Sequence, residues 1–432
     1  MFVIPTVKIV SFFSKGEKLP FYRKLNSNFQ IKITNNTKGK KNSHKFMMYE
    51  KYIDGSSNWI KKLTTSRINT KNKLIKDLNR AGNINENEVW IFFTNGIYSP
   101  ELSSIDKLPK NFYFGSFSEL PINKQKNILD IANKGESGIN GGFFSALNAA
   151  CLEDIAILLI PENSNFEKNI NLVFQGQGTG NNFYINQKFV IINSKNSFSK
   201  IVQYHLGEDK SIYFDNTTAS IVLNENSSME YNFINQVPET ASQITSIHVE
   251  IEKNAHFQFS SASTGGFLSR LNIGIDINGI NSSTKLNGIS LANKRKTIDI
   301  HSRISHNYPE CTSSQLHKNL VSEEGHAIFA GKIQVHSGSF NTKSEQLCKT
   351  LLLSSTSRID TMPILEINND NVKCTHGATV SDLDKNQLFY LQSRGISSET
   401  AKKILTNGFF KDIIDCFPSG FIKDFFSNLY FF

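Results

Sequence analysis

The chain has 432 residues, of which 39% are hydrophobic, and its 34 phenylalanines can fill a large core, which argues against global disorder. The formal net charge is +9, but residues 1–46 hold ten basic residues against one acid, Glu17, so the rest of the chain is close to neutral. Residues 47–432 therefore lack the surplus of Lys and Arg that a nucleic-acid-binding surface needs. The sequence also has no run of about 20 apolar residues, the length needed to cross a membrane.

Residues 1–46 are a basic leader in front of Met47 and Met48. Three interpretations remain open: a disordered leader, a targeting peptide, or an over-extended start upstream of the true initiator at Met47 or Met48. The third is favoured, because the recognisable part of the chain begins near Met47. A chain that lacks residues 1–46 is therefore expected to keep its function.

Residues 47–150 are expected to form a mainly helical region. Ser56 lies where it can cap a helix, and residues 144–150 have the apolar spacing of another helix. Between them, the apolar run 89–93 predicts a strand, and Asn95-Gly96 predicts the turn that ends it. Packing is sufficient to explain each of these elements.

Residues 151–380 change to short alternating strands, which begin every 10 to 15 residues or so and are separated by Asn, Gly and Ser. Ile247, Val249 and Ile251 alternate with His248 and Glu250, for example. Such alternation gives each strand one buried face and one wet face. A sandwich, a barrel and a β-helix all remain open on this pattern alone.

Residues 381–432 are predicted to be helical again. Ser381 and Asp384 fit the spacing of a capping box, and Gly395 lies where it can end the first helix. A last apolar stripe recurs at every fourth residue, and it suits packing within the chain or a partner. Its residues are Phe421, Phe425 and Leu429.

Histidines are concentrated late in the chain, but none has the spacing of a zinc site. His301 shares a strand face with Arg303 and is expected to point outward. For the isolated histidines, a surface or hydrogen-bonded role is the favoured interpretation. These are His317, His326 and His336.

Residues 372–379 bring a cysteine and a histidine together. Cys374 and His376 are two residues apart, so in a strand both side chains point to the same face. A thiolate and an imidazole are both metal ligands. Iron–sulfur clusters generally use four protein donors, so a second chain would have to complete such a site. The five cysteines form no C-x-x-C pair, which indicates a reducing compartment.

This block, followed by Leu383-Asp384, residues 387–391 and residues 393–397, resembles the C-terminal signature of the SufD branch of the SufB/SufD family of iron–sulfur cluster assembly proteins. The resemblance covers about residues 85–415 and is strongest over 300–407. It implies a mainly β fold: a right-handed parallel β-helix core over residues 151–380, flanked by the N-terminal and C-terminal helical parts.

The resemblance also implies a role. The chain would be a non-catalytic scaffold subunit that pairs with a SufB-like paralogue through the end of the β-helix. A SufC-like ABC ATPase would bind the C-terminal helices. His376 would hold a transient iron–sulfur cluster shared with the partner, with Cys374 the weaker candidate. A homodimer is the alternative assembly when the chain is alone, and reduced flavin has been linked to the family's complexes. The location would be the cytoplasm, or the plastid stroma if the leader is a transit peptide.

Some positions depart from the family pattern. SufB carries a glutamate after the equivalent histidine, where this chain has Gly377. SufB also carries an essential thiol six residues before a proline; counting back from Pro363 reaches Ser357, so the chain resembles the SufD half. Ile155 stands where a Gly is usual, and Leu316-His317 stands where a Tyr is usual, which puts any role of that ring in doubt.

No P-loop, nucleophile elbow or Rossmann fingerprint is present, so ATP hydrolysis is assigned to a partner. Two alternatives remain. One is an extracellular-type β-helix polysaccharide lyase or hydrolase that uses Asp276, Asp299 and Arg303. The other is a structural β-helix without a metal role.

Overall fold

The computed structural model describes residues 87–134, 142–152, 154–178 and 183–415. The basic leader, the helix expected behind Ser56 and the stripe from Phe421 to Leu429 lie outside the described residues.

The described chain is mainly β, with helices towards both ends. Its strands, in chain order, are β1 (Val89–Thr94), β2 (Ile97–Tyr98), β3 (Tyr113–Ser116), β4 (Ile155–Ile160), β5 (Asn165–Gly176), β6 (Phe183–Asn193), β7 (Phe198–Gly207), β8 (Tyr213–Leu223), β9 (Ser228–Gln236), β10 (Ser242–Ile251), β11 (His256–Ser263), β12 (Leu268–Ile277), β13 (Ser283–Ala292), β14 (Thr297–His306), β15 (Thr312–Val321), β16 (His326–Val335), β17 (Lys343–Leu352), β18 (Arg358–Ile367) and β19 (Lys373–Ser381). The α-helices are α1 (Ile122–Lys134), α2 (Gly142–Ala150), α3 (Lys385–Ser393) and α4 (Ser398–Ile414).

The strands alternate between two sheets. One sheet has the order β19-β17-β15-β13-β11-β9-β7-β5-β1-β2, and the other has the order β18-β16-β14-β12-β10-β8-β6-β4-β3. Each strand from β5 onward pairs in parallel with the strand two positions away in sequence. The chain therefore winds as a parallel β-helix, in which each coil adds one strand to each sheet. The expected β-helix with helical ends is confirmed.

The asparagine-rich corners have a clear physical role. Five asparagines at the same corner of successive coils share a left-handed backbone conformation, with φ between 54° and 59°, which Asn tolerates better than most residues. Their side chains hydrogen-bond from coil to coil at 2.9 to 3.0 Å, so the corners form an amide ladder. The residues are Asn163, Asn196, Asn226, Asn254 and Asn281.

The N-terminal end of the β-helix finishes on two short antiparallel strands. The run 89–93 forms β1 as predicted, and the Asn95-Gly96 turn returns the chain as β2. Both β2 and β3 pair in antiparallel fashion with the first coils, so the sheets end there on antiparallel strands. Ile128 and Ile131 of α1 pack on the outer face of the sheet that runs from β18 to β3, against residues such as Val190.

Helix α4 packs on the outer face of the other sheet. Phe410 and Ile413 of α4 are fully buried there. Each contributes on the order of 2 kcal/mol by leaving water. Asp384, and not Ser381, caps α3: its carboxylate accepts hydrogen bonds from the backbone N–H groups of Asn386 and Gln387. The expected capping box at Ser381 is wrong, because Ser381 still belongs to β19.

Candidate functional site

The last coil forms what we call the open end, made of β18 and β19. Within the described residues, no strand pairs with the outer edges of these two strands. Their side chains are correspondingly exposed, with Met362 57% and Val380 49% accessible. The apolar run at 364–367 lies in β18. Two adjacent unpaired edges are a template for strand pairing with another chain.

Cys374 and His376 lie on β19 at this open end, on the same face of the strand as predicted. Cys374 is in register with Ser344 of β17, and His376 is in register with Gln346. Both β17 residues are buried in the interior of the β-helix. The two candidate residues therefore occupy positions that face the core, and they are accessible because no further coil covers them: Cys374 is half-buried and His376 is exposed.

The interior side chains in register with His376 become polar in the coils directly beneath it. Further from the open end, the positions in register with His376 are the apolar or aromatic Tyr231, Phe259 and Leu286. Closer to it, they are Gln315 and Gln346. We call Gln315, Gln346 and His376 the histidine stack.

The positions below Cys374 change in the same way. Met229 and Phe257 give way to Thr284, Ser313 and Ser344 as the open end is approached. We call Ser313, Ser344 and Cys374 the cysteine stack. Ser199, in register with Met229 in an early coil, is also polar and buried, so polar interior positions are not unique to the last coils. Buried polar groups stabilise a core less than apolar ones unless they are hydrogen-bonded.

Hydrogen bonds connect each stack internally. In the cysteine stack, the hydroxyls of Ser313 and Ser344 are 2.6 Å apart, and His306 Nε2 lies 2.9 Å from Ser313 Oγ. In the histidine stack, Gln346 Nε2 donates to Gln315 Oε1 at 2.9 Å, and Gln315 in turn donates to Ser302 Oγ at 2.8 Å. His306 and Ser302 belong to the facing sheet, so both stacks are tied across the core.

The Cys374 thiol is not activated by the chain alone. Burial raises its pKa above the usual value, and a hydrogen bond with the backbone of Ser344 offsets this only in part. A thiol with a raised pKa is protonated near neutral pH and is a poor metal ligand until a cation or metal lowers that pKa. Among the described residues, no group of three His, Cys, Asp or Glu side chains is arranged to hold a metal ion.

The other histidines have partners of their own. His317 is buried, lies 3.0 Å from Ser290 Oγ and stacks on the Phe329 ring. His326 contacts Asp360 at 2.7 Å, and His336 contacts Ser305 at 3.1 Å. The hydrogen-bonded role expected for all three is confirmed.

The carboxylates considered for a lyase are already paired. Arg303 Nη1 contacts Asp276 at 2.6 Å, and Asp299 lies 2.8 Å from His301 Nε2 and 3.4 Å from Arg270 Nη1. Arg303 and His301 point outward, as expected from their strand. The two arginine pairs link neighbouring coils, and the arrangement gives no support to a hydrolytic site.

A residue whose role the strand pattern did not reveal anchors the C-terminal helices. The Lys318 side chain, on the outer face of β15, is only 5% exposed. Its ammonium group contacts both carboxylate oxygens of Asp412 in α4, at 2.6 and 2.8 Å, and lies 4.8 Å from the centre of the Phe409 ring. Because 94 residues separate Lys318 from Asp412, no local sequence pattern indicates this pair.

The α3 surface remains uncovered. Phe389 is 71% exposed and Tyr390 is 56% exposed, and no residue of α3 is buried. Adjacent exposed aromatic rings on a helix are frequent partner contacts. No helix in the described ranges is long and apolar enough to span a membrane.

Comparisons with known proteins point to one family. The family model described as "SUF system FeS cluster assembly, SufBD core domain" matches residues 174–409. The chain is 30% identical to the chloroplastic protein ABCI7 of Arabidopsis thaliana over 324 residues, which cover 73% of this chain and 68% of the relative. It is 29% identical to an iron–sulfur cluster assembly SufBD family protein of Synechocystis over 336 residues, 76% of this chain and 74% of the relative. It is 37% identical to the Escherichia coli iron–sulfur cluster assembly protein SufD over 151 residues, 35% of this chain and 36% of the relative.

Proposed function

Because this chain belongs to the SufBD family of iron–sulfur cluster assembly proteins, we propose that it is the SufD-like scaffold subunit of a SUF assembly complex. In this proposal the chain carries out no catalytic step of its own. It pairs with a SufB-like paralogue, and a SufC-like ATPase supplies ATP hydrolysis. Ser357 and Gly377 support the SufD assignment, because the corresponding SufB positions carry a thiol and a glutamate.

The observation that carries the proposal is the position of Cys374 and His376 at the open end. They face the axis of the β-helix on its last coil, beside edges that have no described partner. A second β-helix that docked end to end would pair with β18 and β19 and enclose the two side chains. Its donors would add to this chain's two, as a cluster with four protein ligands requires.

The exposed apolar side chains of β18 support the same interface. Met362, Ile364 and Ile367 are between 39% and 57% exposed, and a docked coil would bury them. A second copy of this chain presents the same edges, so a homodimer is the competing assembly in the absence of the paralogue.

We place the ATPase on α3 and α4. Support comes from the exposed Phe389 and Tyr390 on α3, and from Ile404, which is 46% exposed on α4. The Lys318–Asp412 pair fixes α4 to the β-helix, so a force exerted on these helices would be transmitted to β15. This surface is separate from the open end.

The location of the protein is part of the proposal. The Arabidopsis relative is described as chloroplastic, so we propose a plastid location for this chain if residues 1–46 act as a transit peptide, and a cytoplasmic location if they do not.

Co-expression with SufB-like and SufC-like partners tests the function. A scaffold subunit is expected to co-purify with both, and the complex is expected to contain iron and sulfide in amounts that depend on this chain. A visible absorption spectrum separates a cluster from a bound flavin. A chain that co-purifies with neither partner would refute the scaffold role. If the chain co-purifies with its partners but the partners contain the same amount of cluster without it, the chain would be only a structural β-helix.

A further inference from the structure

Gln346 is the residue directly beneath His376 in the histidine stack. It is completely buried, and its carboxamide crosses the interior towards β16. Gly331 of β16 makes room for it, since a Cβ atom there would collide with Gln346 Nε2. The side chain therefore lies in a space shaped for an amide.

Only one half of this amide is satisfied. Gln346 Nε2 donates to Gln315 Oε1, and Gln315 donates to Ser302 Oγ, so a chain of hydrogen bonds fixes the orientation of both carboxamides. Gln346 Oε1, in contrast, is buried and accepts no hydrogen bond from any described residue. A buried carbonyl oxygen without a donor is unfavourable, so a donor for it is expected.

His376 is the in-register position on the neighbouring strand, and its ring N–H offers such a donor. Adjacent strands lie about 4.8 Å apart, and in-register side chains on one face are hydrogen-bonding neighbours across that spacing. Gln315 and Gln346 demonstrate this one coil below, where they bond at 2.9 Å across the same kind of pairing. The ring of His376 is exposed, so it is free to rotate towards the oxygen beneath it.

We propose that Gln346 is a positioning residue for His376: its Oε1 accepts the ring N–H and fixes the imidazole as one tautomer. The lone pair of the other ring nitrogen is then directed out of the open end, towards the space that a partner chain would enclose. Histidine ligands to metals commonly donate their second ring N–H to an oxygen in this way. The use of this lone pair for a cluster rests on the proposed function, whereas the contact itself does not.

The contact is tested in the isolated full-length chain, without iron or partners. Histidine ring ¹⁵N labelling and NMR report the tautomer, and the His376→Ala variant identifies the His376 signals. The wild type is expected to show one dominant tautomer at His376. Gln346→Met keeps the length of the side chain but removes the oxygen, and is expected to give the averaged signals of a solvated imidazole. Gln346→Glu retains an acceptor, which the Gln315 amide can rotate to support, and is expected to restore the wild-type pattern.

Gln187→Met is the matched control. Gln187 is also buried, also donates one hydrogen bond (to Thr217 at 2.8 Å), and also has an Oε1 without a described partner, but it lies on β6, far along the chain from the open end. It is expected to leave the His376 signals unchanged. Unchanged signals in the Gln346→Met variant, with circular dichroism confirming its fold, would overturn the proposal.

A second measurement separates this inference from the proposed function. In the complex with its partners, Gln346→Met is expected to lower cluster content by about 10-fold, the lower end of what the loss of a residue supporting a metal ligand costs. If the NMR pattern shifts but neither this variant nor His376→Ala changes cluster content, the positioning contact stands and the cluster site is refuted. If His376→Ala lowers cluster content and the NMR pattern does not respond to Gln346→Met, only the positioning role is refuted.

Discussion

At the scale of single residues, the open end makes two ordinary interior positions into candidate ligands. In any earlier coil, the residues in register with Cys374 and His376 are buried by the coil that follows. Here the same positions are accessible, while the polar residues directly beneath them, Ser344 and Gln346, remain buried. This combination gives a ligand both an exposed face and a fixed support, which is what metal sites need from their surroundings.

The first prediction concerns His376. We expect His376→Ala to leave folding and complex formation intact, because one exposed side chain at the rim of a large interface rarely determines affinity. Cluster content of the co-purified complex, measured as iron and sulfide and by visible absorption, is expected to fall by about 10-fold or more.

The matched control is His326→Ala, since His326 is a strand histidine whose Asp360 partner is largely exposed. It is expected to keep wild-type cluster content. His317→Ala, which the sequence alone would also offer as a control, is unsuitable: His317 is buried against Phe329, and its removal would leave a cavity that costs about 2 to 4 kcal/mol. Wild-type cluster content in the His376→Ala complex would refute the site.

The second prediction concerns acid stability. Burial lowers the pKa of His306 and of His317 from 6.5 to about 4, so both imidazoles are neutral in the folded protein near pH 7. The unfolded chain binds protons at a higher pH than the folded one. The stability linked to these groups is therefore fully present above about pH 6.5 and is lost as the pH falls towards 4. Each contributes on the order of 3 kcal/mol to this loss.

Chemical unfolding at pH 7 and at pH 5 measures the effect. His306→Gln and His317→Gln carry no titrating group, so each is expected to lose less stability than the wild type between these two pH values. His256→Gln serves as the control, because it makes the same substitution at an exposed histidine. An equal loss in all four proteins would contradict the assignment to the buried imidazoles.

At the scale of elements, α3 and α4 have different relations to the β-helix. α4 is fixed by its buried Phe410 and Ile413 and by the Lys318–Asp412 pair. α3 buries no residue and presents its aromatic rings to solvent. Deletion of residues 381–432 is expected to abolish ATPase binding and spare the paralogue contact. It would also uncover the apolar outer face beneath α4, so point variants on α3 are the sharper test.

The third prediction therefore concerns α3. We expect the double variant Phe389→Ala/Tyr390→Ala to weaken binding of a SufC-like ATPase by about 2 kcal/mol or more, roughly 30-fold in Kd, because central aromatic residues dominate interface energies. Calorimetric titration of the purified chain with the ATPase gives the Kd. The fold is expected to be unaffected, since neither ring is buried.

Ile122→Ala provides the control for this variant. Ile122 is 85% exposed at the start of α1, near the other end of the β-helix. It is expected to leave both ATPase and paralogue binding unchanged. ATPase affinity that stays at the wild-type value in the α3 variant would move the docking surface away from α3.

At the scale of the whole molecule, the two ends of the β-helix differ. The N-terminal end finishes on the short antiparallel strands β2 and β3, of two and four residues, whereas the C-terminal end of the described chain exposes two parallel edges of ten and nine residues. Very short edge strands limit edge-to-edge association, and long ones favour it. End-to-end docking through β18 and β19 is therefore the assembly that this architecture favours, and it would create the cluster site only where two chains meet.

The fourth prediction concerns residues 1–46. A chain that starts at Met47 or Met48 is expected to complement a strain or plant line lacking the gene as well as the full chain does, provided that it is expressed in the compartment where it acts. The reason is that the matched family region begins only at residue 174. Fluorescent fusions with and without residues 1–46 measure the location. Mislocalisation of the shorter chain would show that the leader is a targeting peptide, and lost activity at the correct location would give it a direct role.

Much of the candidate site is a property of the sequence itself. Strand geometry alone places Cys374 and His376 on one face, because alternate side chains point the same way. Local chemistry likewise predicted β1 with its Asn-Gly turn and the end of α3 at Gly395, whose φ is +82°. These features depend on a few neighbouring residues, so the sequence alone is sufficient to predict them.

The tertiary structure decided what depends on distant residues. Period-2 alternation is the same in a sandwich, a barrel and a β-helix, since it records which face is buried and not which strand is the neighbour. The pairing of each strand with one about 30 residues away selects the β-helix. Only that register sets Gln346 beneath His376 and Ser344 beneath Cys374. The packing of α4 on the β-helix sets Asp412 against Lys318. The sequence by itself therefore determined which residues are chemically able to form the site, and the stacking of coils determined where they are exposed and what supports them.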